Sequence, residues 1–313
     1  MKVGVVGAGV FGRNHLRVVS QSTDAELAAV YDIDTARAEA AAKEFGCPAA
    51  SDLEGLLAQT DAVIVAAPTT AHCEITIAAL KAGRDVLVEK PLAFSPSEGK
   101  SMVDCAAQNG RILQVGHLER FNPAVAAAEK IATRPLFFEI HRLSIFTPRS
   151  LDVDVVFDLM IHDLDIVLSM VGRPPEEVRA AGISILSPKV DIANVRLAFP
   201  GGCVANLTAS RVSTEKVRKL RFFQPGQYVS VDYTRQDMVA ISVDEKRQIS
   251  ILPSGVQKGE PLQLQFASFV ECIRTRQKPK VDGAVGLRAL EAATLILDKI
   301  EEHAAIVAQP FTR

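Results

Sequence analysis

Apolar residues near the start of the chain fall in short runs, at Lys2–Val6, Leu27–Tyr31, Ala62–Ala66, Asp85–Val88 and Ile112–Val115, separated by longer stretches of helical spacing. Short buried strands alternating with helical segments are the pattern of parallel strands joined by crossover helices. Residues 1–120 therefore predict a doubly wound parallel sheet of the Rossmann kind. Ser51-Asp52-Leu53-Glu54 and Ser95-Pro96-Ser97-Glu98 read as capping boxes, the second with proline at the first helical position. Gly46, Gly83 and Gly110 each follow a helical stretch and suit the left-handed conformation that ends a helix.

After Pro123 the rhythm changes. A helix leads to a strand near Leu136–Phe146, a helix from about Asp158 to Met170, and then consecutive strand-like runs to about Leu252. Pro200-Gly201-Gly202 separates Ile192–Phe199 from Cys203–Val212, and Pro225-Gly226 separates Val217–Gln224 from Gln227–Asp232, so both pairs predict hairpins. Two helices follow, near Leu262–Arg276 and Ala284–His303, and they are candidates to pack back on the first domain. Residues 121–313 thus predict an α+β domain for substrate and oligomerisation, with a largely antiparallel open sheet. One face of that sheet is expected under helices and the other at a homo-oligomer interface, a dimer or tetramer.

The length of 313 residues, 48% apolar and only 5% aromatic, is ample for two cores. A net charge of −2 provides no basic excess, so no nucleic-acid partner is expected. The five cysteines are scattered and never form a C-x-x-C pair, which suits small buried side chains in a reducing compartment. No signal-peptide pattern and no membrane-length apolar run appears, and the expectation is a soluble, cytoplasmic protein without membrane partners.

The first run leads into "VVGAGVFG", where Gly7, Gly9 and Gly12 have the G-x-G-x-x-G spacing between a strand and a helix. A dinucleotide diphosphate needs this arrangement: a tight turn, close backbone approach, and a helix packed hard on its strand. Val10 and Phe11 open that helix and join the glycines as cofactor-contacting positions. Asp32, at the end of the second strand, can accept from a ribose 2′-hydroxyl and repel a 2′-phosphate, so NAD is favoured over NADP. Arg37 is the residue that would accommodate such a phosphate, which keeps NADP as the alternative. A nicotinamide ring lies over the carboxyl ends of these strands, where Pro68, Thr69, His72, Glu89, Lys90 and His117 collect.

The stretches "VGVVGAGVFGRNHL", "DAVIVAAPTTAHCEITIAALKAGRDVLVEKPLA", "QVGHLERFNPA" and "DLMIHDLD" resemble the glucose–fructose oxidoreductase / inositol dehydrogenase (Gfo/Idh/MocA) family over nearly the whole chain. The resemblance implies an NAD(P)-dependent dehydrogenase with substrate held between its domains. It also implies that the lysine of E-K-P and the aspartate and histidine of D-x-x-x-H serve the reaction, here Lys90, Asp158 and His162. Residue chemistry agrees. Asp158 and His162 are four apart on a predicted helix and share a face, and the carboxylate would support an imidazolium formed when His162 takes a hydroxyl proton. Lys90 would hydrogen-bond to the reacting oxygen.

Asp158, His162 and Asp165 also admit a metal-ligand reading, but hydride transfer aided by lysine requires no metal, and none is expected. Met160 stands where family members often have glycine, which leaves pocket shape open. "GHLERFNPA" with "DVDVVFDLMIHDLDI" resembles a subgroup that oxidises the 3-hydroxyl of UDP-N-acetylglucosamine. That reading casts His117, Arg120, Asn122, Arg142 and Arg149 as substrate-binding, the arginines clamping a diphosphate. The alternatives are oxidation of a free sugar or cyclitol, glycoside hydrolysis with transient use of NAD, and a redox-silent NAD-binding protein.

Overall fold

The structure, a computed structural model, describes residues 1–147, 153–253 and 255–308. The chain divides into two compact units, Met1–Leu118 with Glu260–Leu290, and Glu119–Gly259 with Glu291–Arg313.

In the first unit β1 (Lys2–Val6), β2 (Glu26–Tyr31), β3 (Ala62–Val65), β4 (Asp85–Glu89) and β5 (Leu113–Gly116) form a parallel sheet in the order β2-β1-β3-β4-β5. Ala49 adds a single parallel bridge to Val30 on the outer edge of β2, so a vestigial strand completes the six-place order of a dinucleotide-binding sheet. The crossovers are α1 (Val10–Ser20), α2 (Thr35–Phe45), α3 (Leu53–Ala58), α4 (Thr69–Lys81) and α5 (Pro96–Gln108). Strands β3 and β4 are buried along their whole length, as a sheet covered on both faces requires.

Ser95 caps α5 as its spacing predicts, accepting from the Glu98 N–H at 3.3 Å with Pro96 in the first turn. At α3 the cap falls one residue later than expected: Asp52, not Ser51, accepts from Gly55 N–H at 2.7 Å. The domain boundary expected at 120 falls at Leu118, and α8 (Pro261–Thr275) joins the first unit. The reason is packing. Leu262, Phe266, Phe269 and Val270 on one face of α8 enter the same apolar core as Val3, Val5, Leu16 and Val19.

The second unit opens with a 3-10 turn (Leu118–Phe121) and α6 (Pro123–Ile131). Its eight-stranded sheet comprises β6 (Phe137–Ile145), β7 (Glu177–Ile183), β8 (Ile192–Ala198), β9 (Val204–Ser213), β10 (Val217–Gln224), β11 (Gln227–Asp232), β12 (Asp237–Val243) and β13 (Ile249–Pro253). The order is β13-β12-β11-β10-β6-β9-β8-β7. Both glycine-marked hairpins form, β8/β9 and β10/β11. Every pairing is antiparallel except β6 with β9, which run parallel at the centre.

Alternate residues of these strands are buried, among them Phe138, Ile140, Leu207, Leu220, Phe222 and Val229. Helix α6 packs on β11 and β12, and a π-turn (Val156–Met160) packs on β9 ahead of α7 (Ile161–Val171). The last helix, α9 (Gly283–Val307), brings Ile300 against Gly182 of β7 within the second unit. Between β7 and β8 the buried Asp191 gathers a loop by accepting from the N–H groups of Ile185, Leu186 and Ser187 and from the Ser187 hydroxyl.

Candidate active site

The first group of site residues is built on the carboxyl ends of β1, β2 and β4. Gly7 has φ +96°, a conformation that L side chains avoid, and a Cβ at Gly12 would strike the Gly7 carbonyl oxygen. Both positions hold α1 tight against β1. A Cβ at Gly9 would meet nothing within 4 Å, and Gly9 opens α1 without any side-chain cap, so the helix's first N–H groups remain available to an anion. The apolar side chains beside this turn are exposed, Val10 at 71%.

Asp32, 8% exposed, accepts from Ala8 N–H at 2.7 Å and from Asp34 N–H at 2.9 Å. These two bonds fix a carboxylate that still has acceptor sites for ribose hydroxyls. Arg37, half-exposed on α2, lies 3.5 Å from Asp32. Ile33, next to Asp32, is 92% exposed, an apolar side chain with no protein cover. These features fit a dinucleotide: backbone and helix end for the diphosphate, Asp32 for the ribose, and exposed apolar surface beside it.

Lys90 follows directly on β4. Glu89 and His72, expected to touch cofactor, are instead turned inward. Glu89 accepts from Lys90 N–H at 3.2 Å and pairs with the buried His15 of α1. The ring nitrogens of His72 lie 2.9 Å from the Ala67 carbonyl and 3.0 Å from that of Pro91, tying the segments after β3 and β4 together. Burial lowers the His72 pKa despite those carbonyls. Pro68 and Thr69 open α4 on the surface, while His117, beyond β5, is fully buried.

The second group lies within the other unit. Asp158 stands in the π-turn and His162 in the first turn of α7, both partly exposed. The expected helix therefore begins earlier and with a wider turn, a feature common where helices carry function. Met160 is fully buried, so its thioether fills core rather than shaping a pocket. Asp165, the third candidate metal ligand, pairs with Arg120.

Two of the three arginines expected to clamp a diphosphate, Arg142 and Arg120, are engaged elsewhere. Arg142, 1% exposed, donates two hydrogen bonds to Asp163, at 2.7 and 2.8 Å, and one to Glu119 at 3.0 Å. Its guanidinium also lies 4.8 Å over the Tyr233 ring, whose hydroxyl donates to Asp163. Burial opposes the Arg142 charge, but Asp163 and Glu119 outweigh it and hold its pKa well above the ordinary value. Arg120 is likewise buried, 2.7 Å from Glu129. Asn122 caps α6 and donates to the Tyr233 carbonyl at 3.0 Å. Arg149 lies outside the described residues.

Residues 1–117 match the oxidoreductase family with an NAD-binding Rossmann fold, and residues 134–225 match the Gfo/Idh/MocA C-terminal domain. The chain is 34% identical to the UDP-N-acetylglucosamine 3-dehydrogenase of Acidithiobacillus ferrooxidans, with 96% of this chain and 97% of that protein covered. The chain belongs to the Gfo/Idh/MocA oxidoreductase family. The solved structure of that same Acidithiobacillus enzyme superposes with a TM-score of 0.92 over 96% of this chain and 98% of the other. A more distant relative is the scyllo-inositol 2-dehydrogenase (NAD(+)) of Bacillus subtilis, 27% identical over 94% of this chain and 93% of its own.

As a member of this Gfo/Idh/MocA family the protein is an NAD-dependent oxidoreductase, and its first unit is the NAD-binding Rossmann domain. Among the described residues no helix is long and apolar enough to cross a membrane. Two residues escaped the sequence reading. His15 reads as one more polar residue of α1, and only the contact with Glu89 sets it apart. Arg218 looks like any cation of an alternating strand, although the register of β10 against β6 places it opposite Arg142.

Proposed function

We propose that this protein oxidises a secondary hydroxyl of a nucleotide sugar, the 3-hydroxyl of UDP-N-acetylglucosamine, to the ketone. The observation that carries the reading is the likeness to the Acidithiobacillus enzyme, which runs through both units rather than the NAD-binding half alone. Lys90, Asp158 and His162 supply the groups the chemistry needs. NAD, held by the glycine turn and Asp32, would supply the hydride acceptor. Lys90 donates a hydrogen bond to the hydroxyl oxygen as it gains carbonyl character. His162 takes the hydroxyl proton, and the Asp158 carboxylate favours the imidazolium that results. His162 would thus hold the proton, and with the cofactor as hydride acceptor the reaction would balance as ketone and NADH.

The test is incubation of the purified protein with NAD and UDP-N-acetylglucosamine, following NADH and identifying the 3-keto sugar by mass spectrometry. Oxidation of a secondary alcohol by NAD is uphill near neutral pH, so an amino donor with an aminotransferase is included to draw the ketone off. Net NADH release separates this reaction from glycoside hydrolysis that borrows NAD transiently. A higher kcat/KM for myo-inositol or a free hexose would remove the nucleotide-sugar assignment and leave the dehydrogenase standing.

The same reading assigns the uncovered face of the second unit's sheet to self-association. That face carries Phe137, Phe223 and Tyr228 with ring centroids 5.6 and 5.1 Å apart, and exposed Val239 and Ile251 beyond them. Sedimentation is expected to find a dimer or tetramer, and Phe223→Asp to weaken it.

A further inference from the structure

Arg218 and Arg142 face each other across the antiparallel β10/β6 ladder, so their side chains leave the same, helix-covered side of the sheet as Leu220 and Ile140. Like charges placed directly opposite on a sheet repel. The Arg142 charge is matched by Asp163 and Glu119. Arg218 has no such match: among the described residues its guanidinium forms no ion pair and makes one hydrogen bond, from Nη2 to Ser144 Oγ at 3.2 Å. Ser144 lies near the end of β6. Burial first, and Arg142 second, lower the Arg218 pKa, while Glu119, Asp163 and Asp158 offset them only in part.

A guanidinium presents five N–H donors in a planar fork suited to two oxygens of one phosphate. Here most of that fork is unused, it is only partly exposed, and the charge of the candidate catalytic carboxylate Asp158 reaches it. We propose that Arg218 anchors the diphosphate of the nucleotide-sugar substrate. It takes the part that the sequence suggests for Arg142, whose donors are already occupied by Asp163 and Glu119. This assignment rests on the nucleotide-sugar reading above. It adds that affinity for the anion is concentrated at a residue that holds the diphosphate rather than the reacting hydroxyl, so that binding energy serves positioning.

The experiment measures UDP and UDP-N-acetylglucosamine binding to the NADH complex by calorimetry, and steady-state kinetics, for the parent protein, Arg218→Met and Arg218→Lys. Charge-assisted hydrogen bonds are worth enough that the Met variant is expected to bind UDP about ten- to a hundredfold more weakly, with Lys intermediate. The loss should appear mainly in KM for the nucleotide sugar, while the kcat/KM for free N-acetylglucosamine falls by a much smaller factor. Equal UDP affinity in parent and Met variant overturns the role of Arg218 and leaves the nucleotide-sugar reading intact. A parent protein that neither binds UDP nor turns over UDP-N-acetylglucosamine overturns both. Should the Met variant not fold, undiminished UDP affinity in the Lys variant is the outcome that defeats the proposal, since a bidentate fork cannot be replaced by an ammonium without loss.

Discussion

Nε2 of His15 lies 2.7 Å from Oε1 of Glu89, both side chains almost wholly buried, and this contact joins the helix that follows the glycine turn to the strand end that presents Lys90. His15→Ala would leave the Glu89 carboxylate in the core without that partner. Removing one member of a buried charge-assisted pair costs about 3 kcal/mol, much of it the desolvation of the group left behind. Denaturant unfolding is expected to show that loss for His15→Ala and a smaller one for Glu89→Gln, whose neutral amide can still hydrogen-bond to the His15 ring. Because the pair acts on Lys90 through the backbone, kcat should fall more than NADH affinity.

Cofactor choice should follow Asp32. The parent protein is expected to bind NADH more tightly than NADPH, and Asp32→Ser to narrow or reverse the preference. Arg37, 3.5 Å from the carboxylate, is then free to meet a 2′-phosphate, so the double variant Asp32→Ser with Arg37→Ala should lose most of the gain. Fluorescence titration of each reduced cofactor measures this. Equal affinities in the parent would remove Asp32 as the determinant.

Turnover should depend on both candidate groups. Lys90→Met and His162→Asn are each expected to lower kcat by about a hundredfold or more while NADH still binds, the scale usual for general acid–base groups. Asp158→Asn should be impaired as well, because the neutral amide no longer supports an imidazolium. Near-normal turnover of Lys90→Met would show that the reacting oxygen relies on another donor.

Acid stability should report Asp191. Burial pushes its pKa up, but the Ser187 hydroxyl and three backbone N–H groups prevail and bring it from 3.8 to about 2. A depressed folded pKa means that the unfolded chain takes up the proton first as pH falls. The stability from Asp191 is therefore complete above the ordinary carboxylate pKa and is lost between there and about 2. Asp191→Asn should lower stability at neutral pH by about 1–3 kcal/mol and flatten the slope across that acid window, as measured by urea unfolding at a series of pH values.

The elements fixed by local chemistry were legible in the sequence: the glycine turn, the Ser95 cap, the helix-ending Gly46, and the Pro-Gly hairpins. What could not be read depended on partners distant along the chain. Arg142 alternates properly on β6, yet its burial is decided by Asp163 from α7, Glu119 from the 3-10 turn and Tyr233 after β11. The π-turn before α7 carries Asp158 through a wider spiral that a 3.6-residue period does not reveal. At α3, Ser51 and Asp52 are both good caps, and the choice falls to the geometry of Gly55.

The parallel pair β6/β9 in an otherwise antiparallel sheet bears on how the second unit folds. Strands β10 to β13 close onto their immediate neighbours in sequence, whereas Phe137 must find Val204 after the π-turn, α7 and two further strands have intervened. Closing so long a loop is entropically slow, and it is the kind of non-local contact that sets folding rates. Asp158 and His162 ride on that crossing segment. A chain that has zipped its local hairpins but has not yet joined β6 to β9 lacks the assembled candidate site around Asp158 and His162, so recovery of activity on refolding should lag behind recovery of secondary structure.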